Sequence, residues 1–386
     1  MAGIYIHIPF CRKACFYCDF HFSVSLGLQT DIVDAIVLEA KRRKSFLGEE
    51  KVETVYFGGG TPSVLTISEW DHILGTLHEE FTIDKDAEIT VECNPDDLTS
   101  EYLKMLKLIG VNRLSVGIQS FNEEHLKWMN RSHTAEQSLN CIQLAADIGF
   151  KDITIDLIYG LPQLDVDEWK QTVKSALALP INHLSAYSLT LEENTPYRKL
   201  VSQTKYKRPD DDLASEHYEL LITEINEHGW EHYEVSNFCK VGNHSKHNTA
   251  YWQGKKYLGL GPSAHSYDGA SRYWNISSNK EYLSLIASNN KTYETEELTD
   301  LNRLNEYLLT GLRAKWGVDT DLLKSEHSYD IDTLYSEELN YWLSIGWIER
   351  NETKISLTDK GLLFADFIAS ELFSTEDEDY SSQISS

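Results

Sequence analysis

Six times in the first 190 residues a strand-like run is followed by a helix-like one, at a spacing of about 30 residues. "GIYIHIPF", "VETVYFGGG", "EITVEC", "RLSVGIQS", "DITIDLIYG" and "HLSAYSLT" read as strands. Between them stand segments of helical period. Two open on capping boxes, Thr66 with Glu69 and Thr134 with Gln137, and two stop at glycines, Gly110 and Gly149. Strands alternating with helices pair in parallel, because each crossover needs a helix to return the chain. Six units with no dinucleotide-type glycine fingerprint predict an α/β fold with a curved sheet, a partial (β/α)6 barrel. Polar and glycine residues cluster where these strands end: Cys11 to Cys18, Gly58 to Gly60, Glu92, Gln119 and, within the fifth strand, Asp156. In parallel folds that edge carries the chemistry.

The barrel is expected to occupy 1–200. Residues 201–295 mix a helix with extended runs and read as a barrel extension on the substrate side. Over 296–373, helices, a hairpin turning at Asn351 and a last helix resemble a winged-helix module. The polar, acidic 374–386 reads as a disordered tail. The chain has 386 residues and a formal net charge of −26. A general nucleic-acid binder would be basic, so the C-terminal module is expected to serve as a cap or protein contact. "MAGIYIHIPF" lacks a basic leader, and no apolar run approaches a membrane span, so a cytoplasmic protein is expected.

In that setting clustered cysteines point to metal or redox chemistry. "CRKACFYC" places Cys11, Cys15 and Cys18 in a C-x3-C-x2-C loop, while Cys93, Cys141 and Cys239 stand apart and read as buried apolar thiols. Three readings compete. Cys15 and Cys18 alone form a redox C-x2-C, which leaves Cys11 unexplained. Adding His21 makes a Cys3His set for zinc, although structural zinc usually draws on two separated pairs. Three thiolates on one short loop also suit a 4Fe–4S cluster whose fourth iron is open to a small molecule. That reading fits the strand-end position and the glycines after the second strand.

The loop followed by "GGGTP" resembles the radical S-adenosylmethionine superfamily. "IYIHIPFC", "YFGGGTPS", "VECNPD", "RLSVGIQSF", "DLIYGLP" and "YLGLGPSAHS" together resemble the oxygen-independent coproporphyrinogen III oxidase family, over residues 3 to 370 or so. True oxidases of that family carry a fourth cysteine two residues after the third; here Phe20 stands there. "CDF" and the "HNTAYW" run, His247 to Trp252, are similar to its HemW-like branch, described as haem chaperones.

The resemblance implies a radical-SAM barrel, a 4Fe–4S cluster on Cys11, Cys15 and Cys18, and S-adenosylmethionine beside it. It assigns Tyr5, Glu92, Gly59, Gly60 and Thr61 to that cofactor and gives Tyr17 a shielding place beside the cluster. Gln119, Arg131 and Asp156 match contacts to a second S-adenosylmethionine, or line a pocket for something else. Arg131 is suited to a propionate. His247 is a candidate axial haem ligand, with Tyr251 and Trp252 to flank the ring; His232, His244 and His265 stay open. Haem as cargo, a haem-acceptor protein and a flavodoxin- or ferredoxin-type electron donor are the implied partners. The alternatives are porphyrin biosynthesis, by oxidative decarboxylation of coproporphyrinogen III, and a radical methylation.

Overall fold

The structure is a computed structural model that describes residues 2–375. Strands β1 (Ala2–Ile8), β2 (Val52–Gly59), β3 (Ile83–Cys93), β4 (Arg113–Gln119), β5 (Asp152–Tyr159) and β6 (His183–Ser188) lie side by side in chain order, all parallel. Helices α1 (Gln29–Arg42), α2 (Ile67–Glu80), α3 (Ser100–Leu108), the short α4 (Glu123–Trp128), α5 (Ala135–Ile148) and α6 (Val166–Ala178) make the crossovers. Both capping boxes form. Glu69 accepts from the Thr66 amide at 2.8 Å, and Gln137 accepts from the Thr134 amide at 2.8 Å.

Period two within each strand sorts the side chains. Ile4, Ile6, Val55, Phe57, Val91, Leu114, Val116, Ile153, Ile155 and Leu184 are buried core. The alternate positions converge on a small polar cavity of about 50 Å³, lined by Tyr56, Glu92, Arg113, Asp156, His183 and Ser185 among others. The interior face of this sheet is therefore polar.

The chain continues through α7 (Pro196–Ser202), α8 (Asp211–Glu227), β7 (Trp230–Glu234), β8 (Asn237–Lys240), α9 (Lys246–Trp252), β9 (Lys256–Leu260), β10 (His265–Tyr267), β11 (Ser271–Asn275), α10 (Asn279–Ala287) and β12 (Tyr293–Glu297). These strands join the same sheet. β9 pairs in parallel with β1, β8 runs antiparallel to β6, and the order is β12-β11-β10-β9-β1-β2-β3-β4-β5-β6-β8-β7. The twelve-stranded sheet stays open, with β12 and β7 at its edges.

The "GLGPS" turn after β9 is held by Glu39 of α1. That buried carboxylate accepts from the Tyr282 hydroxyl (2.7 Å), the Gly261 amide (2.8 Å) and the Asn275 side chain (2.9 Å). Gly261 has φ +96°, and a Cβ there would lie 2.6 Å from the His7 carbonyl oxygen. Removing Glu39 leaves several buried donors without their acceptor. Glu39→Ala should lower stability by about 3 kcal/mol or more, read from denaturant midpoints.

By compactness the chain divides into two units: 1–231, 236–250 and 255–296, against 232–235, 251–254 and 297 onward. The second unit holds α11 (Asp300–Leu312), β13 (Val318–Asp319), α12 (Thr320–His327), α13 (Ile331–Leu334), α14 (Ser336–Ile345), β14 (Ile348–Asn351), β15 (Lys354–Leu357), α15 (Asp359–Leu362) and α16 (Ala365–Glu371). Its three strands are antiparallel in the order β13-β15-β14, over a core of Leu308, Leu312, Val318, Leu323, Trp342 and Ile368. The hairpin turn falls on Glu352 and Thr353, because Asn351 still pairs with Lys354. From residue 376 the expected disordered tail lies outside the described residues. Among the described residues no helix is long and apolar enough to cross a membrane.

Candidate metal and cofactor site

The cysteine loop leaves β1 through Pro9 and Phe10 and is tied down on several sides. The Cys11 amide donates to the Ser23 carbonyl (3.0 Å), the Phe16 amide to Met129 (3.1 Å), and the Asn130 side chain to the Ala14 carbonyl (2.7 Å). Gly60 explains how the second strand reaches the loop. Its amide donates to the Ile8 carbonyl at 2.9 Å, and the Thr61 amide to that of Phe10 at 2.7 Å. A Cβ on Gly60 would stand 2.6 Å from the Phe10 oxygen, and one on Gly59 (φ +105°) 2.6 Å from the His7 ring. The glycines are thus required by the loop's own backbone, independently of any ligand.

The three sulfurs open onto one cavity of about 390 Å³, within the range of small-molecule sites. Tyr17, Gly59, Gly60, Thr61, Glu92, Gln119, Arg131 and Asp156 line it as well. Tyr5 does not. Its ring stacks on Tyr56, with centroids 6.1 Å apart, and its hydroxyl meets His7 Nδ1 at 3.2 Å, behind the site. Two cavity-lining residues that sequence reasoning passed over are Asn94 and Tyr187. Asn94 was within reach, since it belongs to the quoted "VECNPD" motif; Tyr187 carried no signal.

Polar hydrogens point at the sulfurs. Thr61 Oγ1 donates to Cys11 Sγ (3.3 Å) and the Arg131 guanidinium to Cys15 Sγ (3.3 Å). The same guanidinium donates to Asn94 Oδ1 (2.6 Å) and the Gly117 carbonyl (2.7 Å). These contacts brace the loop, and Arg131 also lines the cavity. Burial pushes the Cys11 thiol up to about 11 and that of Cys18 up to about 12. Without metal these are thiols, and iron binding would displace their protons.

The donor set fits a cluster better than a single ion. Around one zinc the ligand atoms stand about 3.3–3.8 Å apart. Among the described residues, the one trio of His, Cys, Asp or Glu donors drawn within 4.8 Å of one another is elsewhere, and it omits these cysteines. His21 is also engaged otherwise, its Nε2 with Asn279 Oδ1 at 2.7 Å.

Glu92 takes a hydrogen bond from Tyr56 (2.8 Å) and one from the Gly59 amide (3.2 Å). Burial, reinforced by Asp156, lifts its carboxyl from 4.5 to about 7, against the pull of those donors. Asp156 rises likewise to about 6, by burial. A folded pKa above the unfolded one means that proton retention stabilises the fold fully below pH 4.5. That contribution is lost as pH rises through about 7. Relative to Glu92→Gln, the wild type should lose on the order of 3 kcal/mol across this window, measured by denaturation at several pH values. Gln119 adopts φ +68°, a left-handed backbone at the mouth of β4.

The haem candidates His247, Tyr251 and Trp252 all lie on the helix α9. His247 is buried inside the barrel unit, at the opposite end of the strands from the cysteines. Its Nδ1 lies 2.8 Å from Thr54 Oγ1, its ring stacks on Tyr56 at 4.9 Å, and burial lowers its pKa to about 3. Tyr251 and Trp252 group with the second unit, where Arg313 lies over the Trp252 ring at 5.5 Å. Phe20 does line the cysteine cavity and is 67% exposed, with Phe22 and Tyr187 also on the lining.

Comparison with known proteins agrees with this architecture. Residues 5–176 match the Radical SAM superfamily, and residues 298–364 match the HemN C-terminal domain. The solved coproporphyrinogen III oxidase HemN of Escherichia coli, titled a Radical SAM enzyme, superposes with a TM-score of 0.83 over 97% of this chain and 90% of its own. At 24% identity that likeness concerns the fold. A Bacillus subtilis (strain 168) relative named Heme chaperone HemW is 34% identical over 94% of this chain and 97% of its own. Its Lactococcus lactis namesake is also 34% identical, over 92% and 93%. The chain belongs to the HemW family of radical SAM proteins.

Proposed function

We propose that this chain is a haem chaperone that holds a 4Fe–4S cluster, S-adenosylmethionine and haem, and passes the haem to an acceptor protein. The observation that carries this reading is similarity to relatives named Heme chaperone HemW along nearly the whole chain. Phe20 supports it, standing where the resembling oxidases have a fourth cysteine and presenting an uncovered ring to the cavity.

In this reading Cys11, Cys15 and Cys18 hold the cluster, which when bound and reduced supplies an electron for cleaving S-adenosylmethionine. Thr61 and Arg131 polarise two of the sulfurs and fix the loop. Tyr17 covers the cluster side of the cavity. Glu92, Gln119 and Asp156 offer polar contacts to the bound S-adenosylmethionine or to a second molecule of it. Tyr5 acts from behind, by fixing Tyr56, which in turn donates to Glu92. Haem lies across the cavity mouth on Phe20. For His247 to ligate the iron instead, haem would have to bind at the other end of the strands, and α9 would have to break the contacts with Thr54 and Tyr56. A cytoplasmic setting and a flavodoxin- or ferredoxin-type donor accompany this reading.

The oxidase alternative is favoured by one observation, the HemN fold over 97% of the chain. Haem titration and coproporphyrinogen III turnover on one anaerobic preparation separate the two. Haem binding without turnover is expected; turnover without haem binding would reverse the assignment.

A further inference from the structure

Outside the site just described, one group of side chains among the described residues has the composition of a metal centre. Glu231 comes from β7, Cys239 from β8, and His244 from the loop leading to α9; one donor atom of each lies within 4.8 Å of the other two. His244 Nε2 and Glu231 Oε2 are 2.8 Å apart. Cys239 is fully buried, while Glu231 and His244 are partly open. A further imidazole flanks the trio, outside the group drawn within 4.8 Å. His183 of β6 is the direct cross-strand partner of Cys239, so both side chains leave the same face of the sheet.

The sequence signature is C-x4-H across a tight connection, "CKVGNH", with the carboxylate eight residues before the cysteine. The connection is held without the metal. The Lys240 amide donates to the Asn182 carbonyl (2.9 Å), the Asn182 side chain to Asn243 Oδ1 (2.9 Å), and the Gly242 amide to Glu231 (3.4 Å). A thiolate, one or two imidazoles and a carboxylate select a borderline divalent ion of the zinc type over magnesium or calcium, which take oxygen. Donor separations around zinc are about 3.3–3.8 Å, so the contacts of Cys239 must close by no more than about 1.5 Å and the His244–Glu231 contact must open slightly from 2.8 Å.

We propose that Glu231, Cys239 and His244, with His183 able to complete the set, form a zinc-type site at the β6-β8-β7 edge of the sheet, distinct from the three-cysteine loop. The ion would fasten the β7–β8 hairpin to the segment entering α9. His244 lies two residues before that helix and three before His247, so loading the site would hold the start of α9 in place.

The test uses the full chain carrying Cys11→Ser, Cys15→Ser and Cys18→Ser, so that the first loop cannot take the metal. Zn²⁺ is titrated against a chromophoric chelator, and Co²⁺ serves as the spectroscopic probe. The expected result is one equivalent per chain, a thiolate-to-cobalt charge-transfer band and a raised melting temperature. His244→Gln and Glu231→Gln, both at partly open positions, should each weaken Zn²⁺ binding tenfold or more while keeping the circular dichroism of the parent. Cys239→Ser should abolish the charge-transfer band. No stoichiometric uptake by the parent would overturn the proposal. So would affinity unchanged in His244→Gln and Glu231→Gln, which would leave the His244–Glu231 contact as a hydrogen bond only.

Discussion

Protein purified without oxygen should be brown and carry about four irons per chain, as one 4Fe–4S cluster requires. Cys11→Ser, Cys15→Ser or Cys18→Ser should each leave it colourless, with iron down at least tenfold. The three sulfurs sit on a loop pinned at Ser23, Met129 and Asn130, so no one of them can be replaced by a neighbour sliding in. Cys93 also borders the cavity, yet it is buried against the Val91 carbonyl. Cys93→Ser should therefore keep its iron and serve as the control. Arg131→Met is expected to bind the cluster but lose it faster in air, because it removes the donor to Cys15 and the braces to Asn94 and Gly117. Iron-free protein containing tight zinc at the three cysteines would sink the cluster assignment.

Haem should bind at about one per chain, with a shifted Soret band, and Phe20→Ala should weaken it tenfold or more while iron content stays unchanged. An aromatic side chain buries on the order of 150–250 Å² when covered. Covering the two-thirds of Phe20 now exposed is worth about 2–4 kcal/mol at about 25 cal/mol per Å². His247→Ala should behave differently. It deletes a buried ring packed on Tyr56 and bonded to Thr54, so it should lower the melting temperature as well as any haem affinity. Equal haem affinity in wild type and Phe20→Ala would move the cargo away from the cavity mouth.

The barrel was legible because its signals are local. Each strand alternates, each helix carries a cap or a glycine stop, and the residues at strand ends must share an edge once the strands are parallel. Eleven of the residues assigned to cluster and cofactor line one cavity for that reason. His247 was not legible in the same way. "HNTAYW" falls in a seven-residue helix, and only the tertiary packing decides that its histidine is buried against Thr54 and Tyr56. Arg131 fitted an anionic ligand by chemistry alone. Its partners, Cys15 after β1, Asn94 after β3 and Gly117 within β4, are gathered by the sheet and not by any sequence spacing. Cys239 read as a buried thiol and is one; its nearness to Glu231 and His244, eight residues back and five ahead, shows only once the hairpin is formed.

The left-handed backbone of Gln119 carries a thermodynamic consequence. A residue with a Cβ in that conformation gives up about 1 kcal/mol, which glycine would recover in part. The most stable residue at the end of β4 is thus not the one present, and the side chain that replaces it projects into the cofactor cavity. Sequences selected for stability alone would drift to glycine there. A library screened first for folding and then for cofactor retention should enrich glycine at position 119 in the first round and purge it in the second.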